Sequence, residues 1–334
     1  MVKVSRRELF ALSAATPLLG TAPRSTVALV CGEDRRRNVH DALVAIDDQI
    51  RPALRRKKYV LLKPNCVAVN NQVGSTHADA LRGILDYLAP RFKGPIVIAD
   101  SSKDCTWDAY ENFGYNRVLA EHRSQKVTLV DLNDESDFIT QEIIDRDLHF
   151  TQVRLAARLF DPDAFVLGCA LLKAHDNVIV TLSVKNLAMA APLHNSRKEK
   201  TAWHDKYKYH SGYRQIQMNV ALTAKRMRPF WGATVIDGFE GMEGEGPLRG
   251  TAVPSHIAIA STDFVAADRI GVEAMGVKPE WPGYLRYCCD LGLGQYDLAK
   301  IDMRGGVSVE SIRRNYTMHP RVNRQLEWMG ALPK

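Results

Sequence analysis

No stretch of this sequence stays apolar long enough to cross a membrane as a helix, so a protein with helical membrane spans is excluded. It has no C-x-x-C pair. Its six cysteines (Cys31, Cys66, Cys105, Cys169, Cys288 and Cys289) are scattered, and neither a zinc ribbon nor a ferredoxin-type iron–sulfur cluster is expected. Cys31, Cys66 and Cys169 lie in or beside apolar runs and read as small buried hydrophobes. The adjacent Cys288 and Cys289 cannot easily pair, so no disulfide framework is indicated. The G-K-[ST] ending of a P-loop is missing, as are an EF-hand loop and the helical H-E-x-x-H of zinc proteases. Neither an internal repeat nor a low-complexity linker interrupts the chain.

What remains is a 334-residue chain with ordinary globular composition, 46% hydrophobic and 25% charged, long enough for a large α/β core. Its net charge of +7 is unevenly placed. Residues 173–228 hold 11 Lys and Arg against Asp176, Glu199 and Asp205, while the chain outside 1–60 and 173–228 is acidic overall. A local cationic zone can attract an anionic ligand; a solvated Lys/Arg face is the plainer explanation of such a run.

The N-terminus, SRRELFALSAATPLLGTAPRS, pairs Arg6 and Arg7 with a weakly apolar run. Residues 1–25 are expected to be a twin-arginine export signal, which would place the protein in the periplasm and make the export machinery a partner. A short helix opened by basic residues, in a cytoplasmic protein, is the alternative.

Apolar runs at 26–32, 59–65, 95–102, 126–133, 164–172, 179–184, 233–238 and 256–262 predict strands. Helices are predicted over 37–54, 76–88, 107–113, 155–160 and 264–275. The strands are apolar throughout, and most are separated by helices. That predicts an α/β fold with mostly parallel sheets covered by helices, arranged as two lobes with a cleft between them. Acidic, irregular residues 131–150 mark the boundary between lobes at 26–150 and 151–334.

Ligands of parallel α/β sheets bind beyond the carboxyl ends of strands. Polar residues stand at several such ends: Lys63 and Asn65, Asp100 and Ser101, Lys173 and His175, and Asp237. In KPNCV, Lys63 and Asn65 could hold a carboxylate or phosphate; a structural turn is the alternative. In LKAHDNVIVTLSVKNL, His175 and Lys185 flank an apolar run. A partly buried lysine loses solvation and its neutral amine becomes accessible, which suits a proton-transfer base or a covalent anchor. Lys173 and Asn186 stand beside them as substrate contacts. His194, His204 and His210 follow, and with His175 make four of the ten histidines. His175, His194 and His204, joined by Glu245, are candidate ligands for a divalent metal. Interleaved Trp203, Tyr207, Tyr209 and Tyr213 leave open single-stranded nucleic-acid binding through 197–228. VIDGFEGMEGEGPLRG (235–250) predicts a glycine-rich acidic loop. Asp237, Glu243 and Glu245 are its candidates for base or metal ligand, and Arg249 for substrate contact. A flexible surface loop is the alternative.

Lys63-Pro64-Asn65, Lys173-Ala174-His175, Thr181 to Asn186, Asp237-Gly238 with Met242-Glu243-Gly244 and Gly246-Pro247, and Asp263 to Asp268 together resemble the family described as domain of unknown function 362. YCCDLGLGQYDL (287–298) resembles a further family segment. The resemblance implies an α/β fold and export by the twin-arginine route. Some relatives carry ferredoxin-type cysteine modules, which this chain lacks. A more distant similarity is to the nickel-pincer lactate racemase family, in which a His at a strand end is followed ten residues later by the Lys that anchors the cofactor. His175 and Lys185 repeat that spacing, although NVIVTLSV replaces the Gly- and Ser-rich sequence between them. The similarity implies a metal or cofactor site beside Lys185. The expected function is therefore proton transfer on a small anionic substrate, isomerase- or racemase-like. The alternatives are a metal- or ligand-binding accessory protein of the cell envelope and a nucleic-acid binder.

Overall fold

Why alternate residues of each strand are all apolar is answered by where they point. The computed structural model describes residues 23–67, 69–195 and 203–330; Ser5–Arg7 of the expected export signal lie outside them. Its strands are β1 (Ser25–Cys31), β2 (Tyr59–Lys63), β3 (Ile96–Asp100), β4 (Val127–Asp131), β5 (Phe138–Ile144), β6 (Phe150–Ala156), β7 (Ala164–His175), β8 (Ile179–Thr181), β9 (Trp231–Glu243), β10 (Thr251–Ser261) and β11 (Ile301–Arg304). Along β7, Val166, Ala170 and Leu172 enter one core, while Phe165, Leu167 and Cys169 enter the other. The pleat sends neighbours to opposite faces, and helices cover both.

One core is roofed by α1 (Arg35–Val44), α2 (Asp47–Leu54), α3 (Ala78–Leu88), α4 (Thr106–Asn112) and α5 (Tyr115–Glu121). The other is roofed chiefly by α6 (Ser183–Ala188), α8 (Tyr213–Met227), α9 (Phe264–Ala274) and α10 (Gly283–Asp290), with α7 (Asp205–Lys208) preceding α8 in the chain. Short helices α11 (Val309–Ile312) and α12 (Val322–Gln325) close the chain.

Nine strands form one mostly parallel sheet in the order β11-β1-β10-β9-β7-β2-β3-β4, with β8 paired to β7. The chain builds outward from β2 through β3 to β4, then returns to lay β7 on the other side of β2. Beyond β7 lies β9, also parallel. Strand order thus reverses between β2 and β7, and at such a switch point the loops leaving the strand ends diverge and open a crevice. The sheet is continuous across residue 150: β7 lies beside β2, and β1 lies between β10 and β11.

Four elements differ from expectation. The irregular 131–150 stretch contains β5, which pairs with β6 in a separate two-stranded sheet. The helix expected over 155–160 is the end of β6 followed by a 3-10 turn at Ala157–Phe160. The strand expected over 179–184 stops at Thr181 and turns into α6, because Asp268 accepts the backbone N–H groups of Ser183 and Val184 and so caps a helix there. The acidic loop at 235–250 is largely two extended arms, since β9 runs on to Glu243 and β10 starts at Thr251.

Candidate functional site

The crevice between β2 and β7 holds a cavity of about 340 Å³. Lys63 and Asn65 enter it from the end of β2, Asp100 and Ser101 from β3, and His175 from β7. Lys185 and Asn186 come from α6, and Lys206, Tyr207 and His210 from the turn around α7. Sequence reasoning anticipated Lys63, Asn65, His175, Lys185 and Asn186, and the fold brings all five to one wall.

The wall is a continuous polar chain. The Lys63 ammonium donates to Asn186 Oδ1 (2.6 Å) and pairs with Asp100 Oδ1 (3.0 Å). Asp100 also accepts the backbone N–H groups of Cys66 and Ser101, both at 2.7 Å. Asn65 Nδ2 donates to Asn186 Oδ1 (2.7 Å). Its own Oδ1 accepts from Lys173, which donates also to the Gly74 carbonyl, both at 2.8 Å. Lys173 lies behind the cavity, fully buried. Burial first, then Lys185 and Lys63, hold it well below the ammonium range. A neutral amine has two N–H bonds, and both are used. Lys173 is thus a strut for Asn65 rather than a substrate contact.

Lys185 is different. It is 7% exposed, on the cavity wall, and its amine has no hydrogen-bond or ion-pair partner among the described residues. Burial, opposed by Asp176 and aided by Lys63, pulls it down to about 8.

His175 is buried and neutral. Burial, then the Lys185 charge, keeps it well below its usual range. The Asn177 N–H donates to His175 Nδ1 (3.0 Å), and Asp176 Oδ1 lies 3.1 Å from the same nitrogen. The neutral ring presents Nε2 as its remaining polar atom. Its backbone is clamped by Gln325 of α12, which donates to the His175 carbonyl (2.9 Å) and accepts from the Ile179 N–H (2.6 Å). Ile179 has φ 69°, and a β-branched residue holds that left-handed conformation at a cost of order 1–3 kcal/mol only when its surroundings impose it.

Asp100, Ser101, Lys206, Tyr207 and His210 were not anticipated as site residues. Asp100 had been noticed only as a strand-end polar residue. Lys206 donates to the Ser101 carbonyl (2.6 Å), Ser101 Oγ (2.9 Å) and the Met189 carbonyl (2.7 Å). Burial draws it down to about 7, but three acceptors need three N–H bonds and so hold the ammonium form. The only sequence signal for Lys206 was its place in the cationic zone.

Other candidates lie elsewhere. Asp237 is buried beside Arg35 (3.4 Å) and accepts the Phe239 N–H; burial pushes its carboxyl up. Glu243 accepts the Thr317 N–H (2.8 Å). Glu245 and Arg249 are exposed and outside the cavity, which the hairpin reaches through Pro247 and Leu248 instead. The metal set does not assemble. His194 and His204 pack against Tyr207 with ring centroids 4.5 and 6.0 Å away, while His175 stands in the cavity wall. Among the described residues no three His, Cys, Asp or Glu side chains are grouped to hold a metal ion. The aromatic residues of the 197–228 stretch do not form one open stacking face: Tyr209 is buried against Thr223, and Trp203 lies under the Arg154 guanidinium.

A family model described as "Domain of unknown function (DUF362)" matches residues 60–273. That span contains every wall residue described above. No curated protein matches the sequence. Among solved structures, a structural-genomics crystal structure of a Thermotoga maritima protein aligns with a TM-score of 0.44 and 7% identity, over 77% of this chain and 58% of that one. The chain thus spans less than two thirds of that neighbour's length.

Proposed function

Since the chain belongs to the family described as domain of unknown function DUF362, whose matched span encloses the cleft, we propose that the cleft binds a small carboxylate and that Lys185 moves a proton at the carbon next to it. The observation that carries this reading is the buried Lys185 amine, without a partner among the described residues, on the cavity wall. An amine near 8 is about one-tenth neutral at pH 7, enough for a base that regains its proton each cycle. The C–H proton passes to Nζ, the C–H electron pair enters an enolate, and the ammonium returns the proton to the same or a neighbouring carbon. The enolate oxygens would face Lys63, which has a third N–H, and Nε2 of His175; a donor fixed before reaction stabilises developing charge. This is isomerase- or racemase-like chemistry.

The His175–Lys185 spacing supports a similar placement of chemistry in the racemases, but the side chains do not supply their metal set, and no step here is routed through a metal. Export through the twin-arginine route is part of the proposal. Fractionation of cells expressing the full chain and an Arg6→Lys, Arg7→Lys variant tests it, and an unchanged location for the pair would remove it.

The catalytic test is deuterium uptake from D2O into a panel of small carboxylates, followed by proton NMR. Uptake should rise with pH through about 8 and vanish in Lys185→Met. Carboxylates bound tightly with no uptake would make the protein an accessory binder. Uptake retained in Lys185→Met would end its role as base.

A further inference from the structure

Beside the cleft lies a second cavity of about 610 Å³ with a different chemistry. The two share the side chains of Asn177 and His210, so they adjoin. Arg146 reaches the second from the β5–β6 turn, Arg214 from the first turn of α8, and Arg324 from α12. None of the three forms an ion pair with a carboxylate among the described residues. Arg214 donates to the backbone carbonyls of Trp328 and Gly330, which fixes the guanidinium without neutralising it. Glu327 is the one carboxylate on the lining, against three guanidinium groups.

Two further features adjoin this space. The 15-residue α8 begins after Gly212 with no side-chain cap hydrogen bond, so the partial positive charge of its N-terminus adjoins the cavity. Ser211 lines the same cavity, and its buried Oγ has no hydrogen-bond partner. The same docking that fixes His175, through Gln325, also sets Arg324 at the rim, so both cavities depend on α12.

We propose that this second cavity is an anion subsite for phosphate, and that the ligand spanning both cavities is a phosphorylated carboxylic acid. The proposal rests on the carboxylate reading of the cleft. Planar guanidinium groups match phosphate oxygens two at a time, and the helix N-terminus adds partial positive charge suited to the same anion. The carboxylate end would lie between Lys63 and His175, with the phosphate end beside Arg146, Arg324 and Ser211.

The test is calorimetric titration of the full chain with propionate, inorganic phosphate and a series of straight-chain phosphonoalkanoic acids of increasing length. One length should bind at least about tenfold tighter than propionate or phosphate alone, since a charged hydrogen-bonded contact contributes that much. Arg146→Ala and Arg324→Ala, both at exposed side chains, should each remove about tenfold of that gain and leave propionate binding unchanged. Phosphonoalkanoates that bind no better than propionate, or an advantage that survives both variants, would overturn the subsite. So would a single-stranded oligonucleotide that displaces the phosphonate with steep salt dependence, since the cavity would then serve a polymer. Binding is read without turnover. A phosphonate advantage in a protein that never exchanges deuterium would sink the proton-transfer reading and leave the subsite standing.

Discussion

The carboxylate of Asp268, on α9, accepts the backbone N–H of Ser183 at 2.7 Å and of Val184 at 2.9 Å, in the same first turn of α6 that carries Lys185. It is wholly buried, and burial pushes the carboxyl up to about 8. The Ser183 and Val184 N–H donors offset that rise only in part. Asp268 therefore fixes where the helix bearing the reactive amine begins, without touching the cavity. Asp268→Asn keeps one acceptor and loses the other. It should cost about 2 kcal/mol in urea unfolding, the range of a lost cap with a buried N–H left bare. Deuterium uptake should fall while its pH profile stays in place. A profile shifted with Lys185 intact would mean that Asp268 tunes the amine rather than positioning it.

The Lys185 amine should make the protein less stable at neutral pH than a variant without it. Its native value of about 8 lies below the ordinary 10.5, so the unfolded chain binds the extra proton between those values. Below pH 8 the full cost of burying the amine is present; as pH rises from 8 to 10.5 that cost fades. The gap corresponds to ~3 kcal/mol as an upper figure. Lys185→Met, similar in length and apolar, should therefore raise the thermal midpoint at pH 7. The gain should shrink toward zero above pH 10.5. A variant less stable than wild type at pH 7 would show that the native amine has a charge partner.

The polar wall can be dissected through Lys63 and Asp100, whose side chains are 3% and 4% exposed. Removing one partner of a buried pair strands the other charge and typically costs 3–5 kcal/mol, whereas replacing both can cost far less. Lys63→Met and Asp100→Asn should each destabilise strongly, and the double variant should recover part of the loss. A double-mutant cycle in denaturant should give a coupling of roughly 2 kcal/mol. Additive losses would mean that Asn186, which also accepts from Lys63, carries the pairing energy alone.

Lys63, Asn65 and His175 were legible because each stands at or just past the end of an apolar run, and parallel strands deliver their ends to one rim; Lys185 and Asn186 were legible only as polar residues after an apolar run. The parallel sheet itself was legible for the same reason, from strands apolar on both faces. Lys185 as a helix residue was not, since the cap that starts α6 comes from Asp268, 85 residues along the chain from Ser183. The metal set failed on a related ground. His175, His194 and His204 are near in sequence, but His175 stands in the cavity wall while His194 and His204 pack against Tyr207. The acidic glycines read as a ligand loop because a hairpin whose arms outrun its sheet partners looks irregular in sequence. In the fold, Glu243 is engaged by Thr317 backbone, and Pro247 and Leu248 are what the hairpin contributes to the cavity.

That contribution depends on Gly246. A Cβ at this position would fall on the backbone carbonyl of Ala174, the residue before His175, and backbone cannot step aside as a side chain can. Gly246→Ala must therefore push the hairpin tip away from the end of β7 and carry Pro247 and Leu248 off the cavity. Forced repacking of this kind typically costs 1–3 kcal/mol. Most of the sheet should be undisturbed, because the displaced residues lie beyond the β9–β10 register at Glu243 and Thr251. The expected result is a folded variant with weaker carboxylate binding in calorimetry and a pH profile of deuterium uptake still set by Lys185. Gly244→Ala is the control: a Cβ there meets no atom within 4 Å, although φ 73° makes it mildly strained. Equal binding losses in the two variants would show that hairpin strain, not the contact at Ala174, governs the cavity wall.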